Sequence, residues 1–172
     1  MPNYRTRNLR EYDQDRRHLY FAYGSNTNLE QMSHRCPAAV NLGPATLPGH
    51  RLVFRGHADV ELDRQSDVTG LLWQVDDWDL ESLDIYEGFP EYYLRQRVFV
   101  YDDQDQEHVA WVYVMSMQQH EAAPSPGYYQ GCMTGYQQNG LATFQLTDAA
   151  DRVNYTDTDP QEAETWRKVY SV

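Results

Sequence analysis

The chain has 172 residues, enough for one domain that buries its own core without metal or disulfide staples. A net charge of −12 argues against a nucleic-acid partner, because phosphates would be repelled, and no apolar run approaches the ~18 residues of a membrane span. Cys36 and Cys132 lie far apart outside any CxxC, and six scattered histidines show no HxH or HExxH spacing, so redox-motif and metal chemistry lack support.

Residues 1–17 form a polar lead of mixed charge without the apolar stretch of a secretory signal, as expected of a cytoplasmic protein. The folded domain is expected over 18–153. It opens on a strand, "HLYFAY", which breaks into Gly24-Ser25-Asn26. "TNLEQMSHRC" reads as a short helix stopped by Pro37. "HRLVFR" and "VTGLLWQV" read as strands, and "DDWDLESLDIYEG" as a helix with Asp76 or Asp77 as N-cap and Gly88 as stop. "LRQRVFVY" and "HVAWVYVM" are further strands. The second is apolar on both faces, as inside a barrel or under helices. "EAAPSPGYYQGCMTGYQQNGL" reads as a Pro/Gly/Tyr loop, a wall or lid, and "LATFQLTDAADRV" as a third helix. The tail, 154–172, is polar and weakly helical from Pro160. Many strands with few short helices indicate an α+β fold, a strongly curved sheet or small barrel.

The motifs GxxxxGK[ST], GxGxxG and GxSxG are all absent, which removes phosphate-cradling loops and nucleophile elbows. Two features remain. Leu80, Leu83 and Glu87 stand at i, i+3 and i+7 on one face of the middle helix, so the carboxylate follows two core residues. It also lies in the last turn, where the helix dipole disfavours negative charge. Desolvation and dipole would together raise its pKa towards neutrality. The alternative is a frayed helix end looking into water. The Gly24-Ser25-Asn26 hook is either an ordinary strand-to-helix turn or a set of backbone amides offered to a carboxylate or oxyanion.

"FAYGSN", "LDIYEGFPEYYLR" and "APSPGYYQGCMTGYQQNGL", in that order and spacing, together resemble the γ-glutamylcyclotransferase (AIG2-like) family over residues 19–150. The resemblance implies a small mixed β-barrel with flanking helices and a cavity at one end, and no metal or organic cofactor. It places Tyr23, Gly24, Ser25 and Asn26 along the cavity and the acid/base glutamate at Glu87. The tyrosine that follows falls on Tyr93, with Tyr92 a weaker match, and the one after Pro-Ser-Pro on Tyr128 or Tyr129. The implied activity is release of 5-oxoproline, with a small-molecule γ-glutamyl substrate as partner and a monomer or homodimer as the assembly. The alternatives are a γ-glutamylamine or deprotecting cyclotransferase, and a non-catalytic binding member. Thr27 departs from the apolar residue that relatives often carry there.

Overall fold

Five strands close into a barrel in the computed structural model, whose described residues are 16–117 and 119–156. The strands are β1 (Arg17–Ala22), β2 (Val40–Arg55), β3 (His57–Asp76), β4 (Tyr93–Asp102) and β5 (Glu107–Met115), in barrel order β1-β3-β2-β4-β5. Neighbours are antiparallel except β1 and β5, which close the barrel in parallel at Tyr20 opposite Trp111. The sheet is therefore mixed, as the resemblance implies. Phe21, Leu47, Phe54, Leu72, Val100 and Val112 fill the barrel core.

Two strands are longer than the sequence indicates. "HRLVFR" and "VTGLLWQV" are only the ends of β2 and β3, 16 and 20 residues long. Pro44, Pro48 and two glycines read as breakers, yet the ladder passes them by shifting register between Asn41 and Gly43 and between Pro48 and His50. Gly43 and Gly49 sit at these shifts with φ of 101° and 68°, which side-chain-bearing residues rarely adopt.

Four helices cover the barrel: α1 (Leu29–Arg35), α2 (Asp77–Glu87), α3 (Pro126–Gln138) and α4 (Phe144–Arg152). Local chemistry fixes α2 at both ends. Asp76 is the N-cap, in a reciprocal capping box with Asp79, and Gly88 ends the helix in the left-handed region at φ 64°. Leu80 and Leu83 bury in a second core with Met32, Trp73 and Tyr113, and this docks the helix with its last turn at the barrel mouth. Cys36 and Cys132 are free and buried, and burial pushes both thiols up to about 12.

The expected Pro/Gly/Tyr loop is instead helix α3. Ser125 caps it by accepting from the Tyr128 N–H at 3.3 Å, and Pro126 occupies the first turn, where its missing N–H costs nothing. Gly131 and Gly135, four apart on one face, let α3 approach the segment after β1. A Cβ at Gly131 would meet Gln31 Nε2 at 2.8 Å. One at Gly135 would meet Thr27 Oγ1 at 2.3 Å and the Asn28 nitrogen at 2.5 Å. Two glycines of the expected loop, Gly131 and Gly135, are thus contact points of a docked helix, while a Cβ at Gly127 would meet nothing within 4 Å. Asn28 and Asn139 tie the same contact, donating to Gly131 O at 3.1 Å and Thr27 O at 2.8 Å. The tail beyond residue 156, with the helix expected from Pro160, lies outside the described residues, as do residues 1–15 of the lead.

Gly135→Ala should destabilise the fold by about 1–3 kcal/mol, the usual cost of overpacking a close contact, although alanine is the better helix former. Urea denaturation measures it; an unchanged midpoint would contradict the close approach.

Candidate active site

The chain leaves β1 through a buried 3₁₀ turn, Ser25–Thr27. Thr27 N–H donates to Gly24 O and Asn28 N–H to Ser25 O, each at 3.1 Å, and Thr27 Oγ1 also donates to Gly24 O at 2.8 Å. The turn's first amides lack intrahelical acceptors by geometry.

Asn26 is the centre of the turn's contacts. Its Nδ2 donates to Glu87 Oε1 at 2.9 Å and to Tyr20 Oη at 2.8 Å, while Oδ1 accepts from Arg35 at 2.7 Å. Its backbone oxygen accepts from the Trp73 indole at 3.0 Å. Arg35 is donor only, so it sets the orientation of the carboxamide and leaves Nδ2 for the carboxylate. The same guanidinium donates to Gln31 Oε1 and Tyr86 Oη, each at 2.7 Å, and covers the Tyr86 ring at 3.7 Å.

Glu87 is partly buried, and desolvation raises its carboxyl from 4.5 to about 7. Arg35 and the Asn26 hydrogen bond both pull the other way without cancelling it. The carboxylate faces a recess lined by Tyr20, Tyr23, Gly24, Ser25, Asn26, Ala58, Tyr93, Tyr113 and Tyr128. Ser25, Glu87, Tyr93 and Tyr128 are shared with an adjoining outer basin of about 230 Å³, completed by His57, Tyr86 and Tyr92.

The tyrosine hydroxyls fix the walls. Tyr93 donates to Ala58 O at 2.6 Å, and Tyr128 accepts from Ala58 N–H at 3.1 Å, so one residue's two backbone groups hold both rings. Tyr23 donates to Tyr113 O at 2.6 Å. Burial pushes the hydroxyls of Tyr20, Tyr23, Tyr93 and Tyr128 far above the ordinary value, leaving them neutral donors and acceptors. Gly24 lies against this wall, where a Cβ would meet Tyr128 Oη at 3.0 Å and Ala58 Cβ at 3.2 Å. The space at this wall makes glycine the fit here.

Of the residues singled out in the sequence, Tyr23, Gly24, Ser25, Asn26, Glu87, Tyr93 and Tyr128 meet at this recess. Tyr129 does not line it. It is buried against Phe54 and Tyr155, with ring centroids 6.0 and 4.4 Å away. Tyr92 lines the basin only. Sequence reasoning missed Arg35, Tyr20, Ala58 and Tyr113, which no motif marks, and Tyr86, which stands beside Glu87 in the middle motif without being singled out. No group of three or more His, Cys, Asp or Glu side chains placed to hold a metal occurs among the described residues.

Residues 20–131 match the family model "Gamma-glutamyl cyclotransferase, AIG2-like". The chain is 30% identical to the γ-glutamylcyclotransferase of Bos taurus over 154 residues, 82% of this chain and 81% of that one. It is 32% identical to the Homo sapiens protein of the same name over 136 residues, 72% of each. A solved structure titled "Gamma-glutamyl cyclotransferase" superposes with a TM-score of 0.72 at 26% identity, covering 90% of this chain and 99% of that one.

Arg35→Met should raise the Glu87 pKa above about 7, because it removes the nearest opposing charge, and it leaves the buried Asn26 Oδ1 without its donor. Carboxyl NMR titration reads the shift. A pKa that stays put or falls would break the proposed Arg35–Asn26–Glu87 coupling.

Proposed function

The chain belongs to the gamma-glutamyl cyclotransferase, AIG2-like family, and on that premise we propose that it releases 5-oxoproline from γ-glutamyl amino acids or peptides, with Glu87 as the acid/base group. The observation that carries this reading is a carboxyl held near neutrality, oriented by Asn26, at the junction of an inner recess and an outer basin.

The γ-glutamyl moiety occupies the recess, and the amine to be released extends into the basin. The α-amino nitrogen attacks the γ-carbonyl carbon; the new C–N bond closes a five-membered lactam while the original amide C–N bond breaks. Because the nucleophile belongs to the substrate, folding it into a ring-closing conformation does most of what a separate catalytic nucleophile would do. Proton movement remains. The α-ammonium gives up two protons in becoming a lactam N–H, and the departing nitrogen gains two in leaving as an ammonium. One carboxylate that accepts and returns a proton in turn serves both needs, and a pKa near 7 suits it to both directions. The amides of residues 24–26 and the Tyr128 hydroxyl, which accepts from Ala58 N–H, are the donors that would serve the substrate carboxylate or the developing oxyanion.

Glu87→Gln should lower turnover at least ~10²-fold in a 5-oxoproline release assay while the protein still folds. For the unmodified protein, kcat/KM should rise with pH through about 7 as Glu87 ionises. Stability moves the opposite way. The folded-state pKa lies above 4.5, so the stability contributed by protonated Glu87 is complete below about pH 4.5 and is lost as pH rises through 7. Glu87→Gln removes that loss, so its Tm should exceed that of the unmodified protein at pH 8 by more than at pH 5. A variant with near-normal turnover would refute the assignment.

Gly24→Val should reduce kcat/KM at least about tenfold, because its side chain enters the space between Tyr128 Oη and Ala58 Cβ. Steady-state kinetics check it; unchanged kcat and KM would make the turn purely structural.

A further inference from the structure

Resting on the reading above, the geometry points to a substrate class. We propose that the outer basin is an aromatic receptor for the released amine, and that the preferred γ-glutamyl substrates carry a leaving group with an aromatic ring or an equally broad apolar side chain.

The walls of the basin are aromatic on three sides. His57 stands edge-to-face with both Tyr128 and Tyr92, at centroid distances of 4.7 and 6.1 Å and interplanar angles of 90° and 84°. The rings thus meet as a corner instead of stacking shut. Tyr92 in turn lies edge-to-face with Tyr93 at 5.3 Å, so the corner continues onto the wall shared with the recess. Tyr86 lines the same basin. Tyr86 and Tyr92 leave 45% and 47% of their surface exposed and His57 is exposed too, so flat apolar area gathers around one opening beside the carboxylate. Aromatic surface collected at the mouth of a cleft is surface available to a ligand.

The charges point the same way. Glu87 is the single formally charged side chain lining the basin, and no arginine or lysine among the described residues lines it. The nearest guanidinium, Arg35, is engaged with Asn26, Gln31 and the Tyr86 hydroxyl, and covers the Tyr86 ring. Burial pushes His57 below the ordinary histidine value, so its ring is neutral at pH 7. An acidic leaving side chain would meet a carboxylate and no fixed cation. A small one would leave the rings uncovered, whereas an aromatic one meets edges and faces at the spacings that rings adopt with one another.

The test compares γ-glutamyl-phenylalanine, γ-glutamyl-alanine and γ-glutamyl-glutamate by kcat/KM for 5-oxoproline release at pH 7.5. The three share the reacting group and the leaving α-carboxylate and differ only beyond it. The phenylalanine substrate should exceed the alanine substrate by about tenfold or more, the worth of a modest apolar contact, with the glutamate substrate lowest. His57→Ala and Tyr92→Ala, both at exposed positions, should shrink the phenylalanine-to-alanine ratio at least about threefold. Equal rates on phenylalanine and alanine, or a ratio that neither variant changes, would overturn the receptor. Should a variant fail to fold, the ratio for the unmodified protein still decides. Release from none of the three substrates would overturn the cyclotransferase reading itself, a different outcome from release without preference.

Discussion

The site hangs on one buried carboxamide. Asn26 uses both Nδ2 hydrogens, its Oδ1 and its backbone oxygen, and the four partners come from four elements: Tyr20 on β1, Arg35 on α1, Glu87 on α2 and Trp73 on β3. A buried polar group left unmatched costs about 1–3 kcal/mol, so each partner is held in place by the demand of the others. The 3₁₀ turn that presents Asn26 is pinned from outside by α3, whose Gly135 lies against Thr27 and Asn28. Barrel closure, helix docking and orientation of the carboxylate are therefore parts of a single arrangement.

That arrangement keeps Glu87 at a position that does not suit folding. Its carboxyl follows Leu80 and Leu83 towards the interior, where desolvation outweighs the combined pull of Arg35 and Asn26. A fully compensating cation in direct contact would have returned the pKa to the ordinary carboxylate range. Placing Arg35 one residue away, with Asn26 between, orients the carboxylate without neutralising its tendency to bind a proton. The stability lost here is offset elsewhere by the capping box of α2 and by two separate apolar cores.

The tyrosines supply stiffness more than acidity. Tyr23 and Tyr93 donate to main-chain oxygens and Tyr128 accepts a main-chain N–H, so these three recess rings are anchored by backbone, while Tyr20 and Tyr113 meet the side chains of Asn26 and Asp84. Rigid walls suit an intramolecular reaction, whose main requirement is a folded substrate. The outer basin adds the exposed rings of Tyr86, Tyr92 and His57, and on the proposed function that contrast separates the part of the site that holds the γ-glutamyl group from the part that faces variable amines.

The helix α2 was legible in the sequence because its determinants are local. Asp76, the 3.6-residue spacing of Leu80, Leu83 and Glu87, and Gly88 act within a few turns, and the structure realises them as read. The strands flagged by β-branched and aromatic runs were legible for the same reason, as was the meeting of Glu87 with the Tyr-Gly-Ser-Asn turn once the three motifs were set against a known family. What local signals cannot carry went astray. The first half of β2 contains prolines and glycines that argue against a strand, and only its pairing with β3 across two register shifts makes it one. Gly131 and Gly135 read as part of a loop because a sequence cannot show that the Gln31 side chain lies 2.8 Å, and the Asn28 backbone 2.5 Å, from where their Cβ atoms would be. Tyr128 and Tyr129 are chemically alike, and it is the phase of α3 that sends one to the recess and the other into the core. The sequence by itself determined which residues could form helices, strands and an acid/base group, since these follow from side-chain chemistry and short-range spacing. The tertiary structure alone decided the company Glu87 keeps, because Arg35 and Asn26 reach it across 52 and 61 positions of chain, and only packing brings them there.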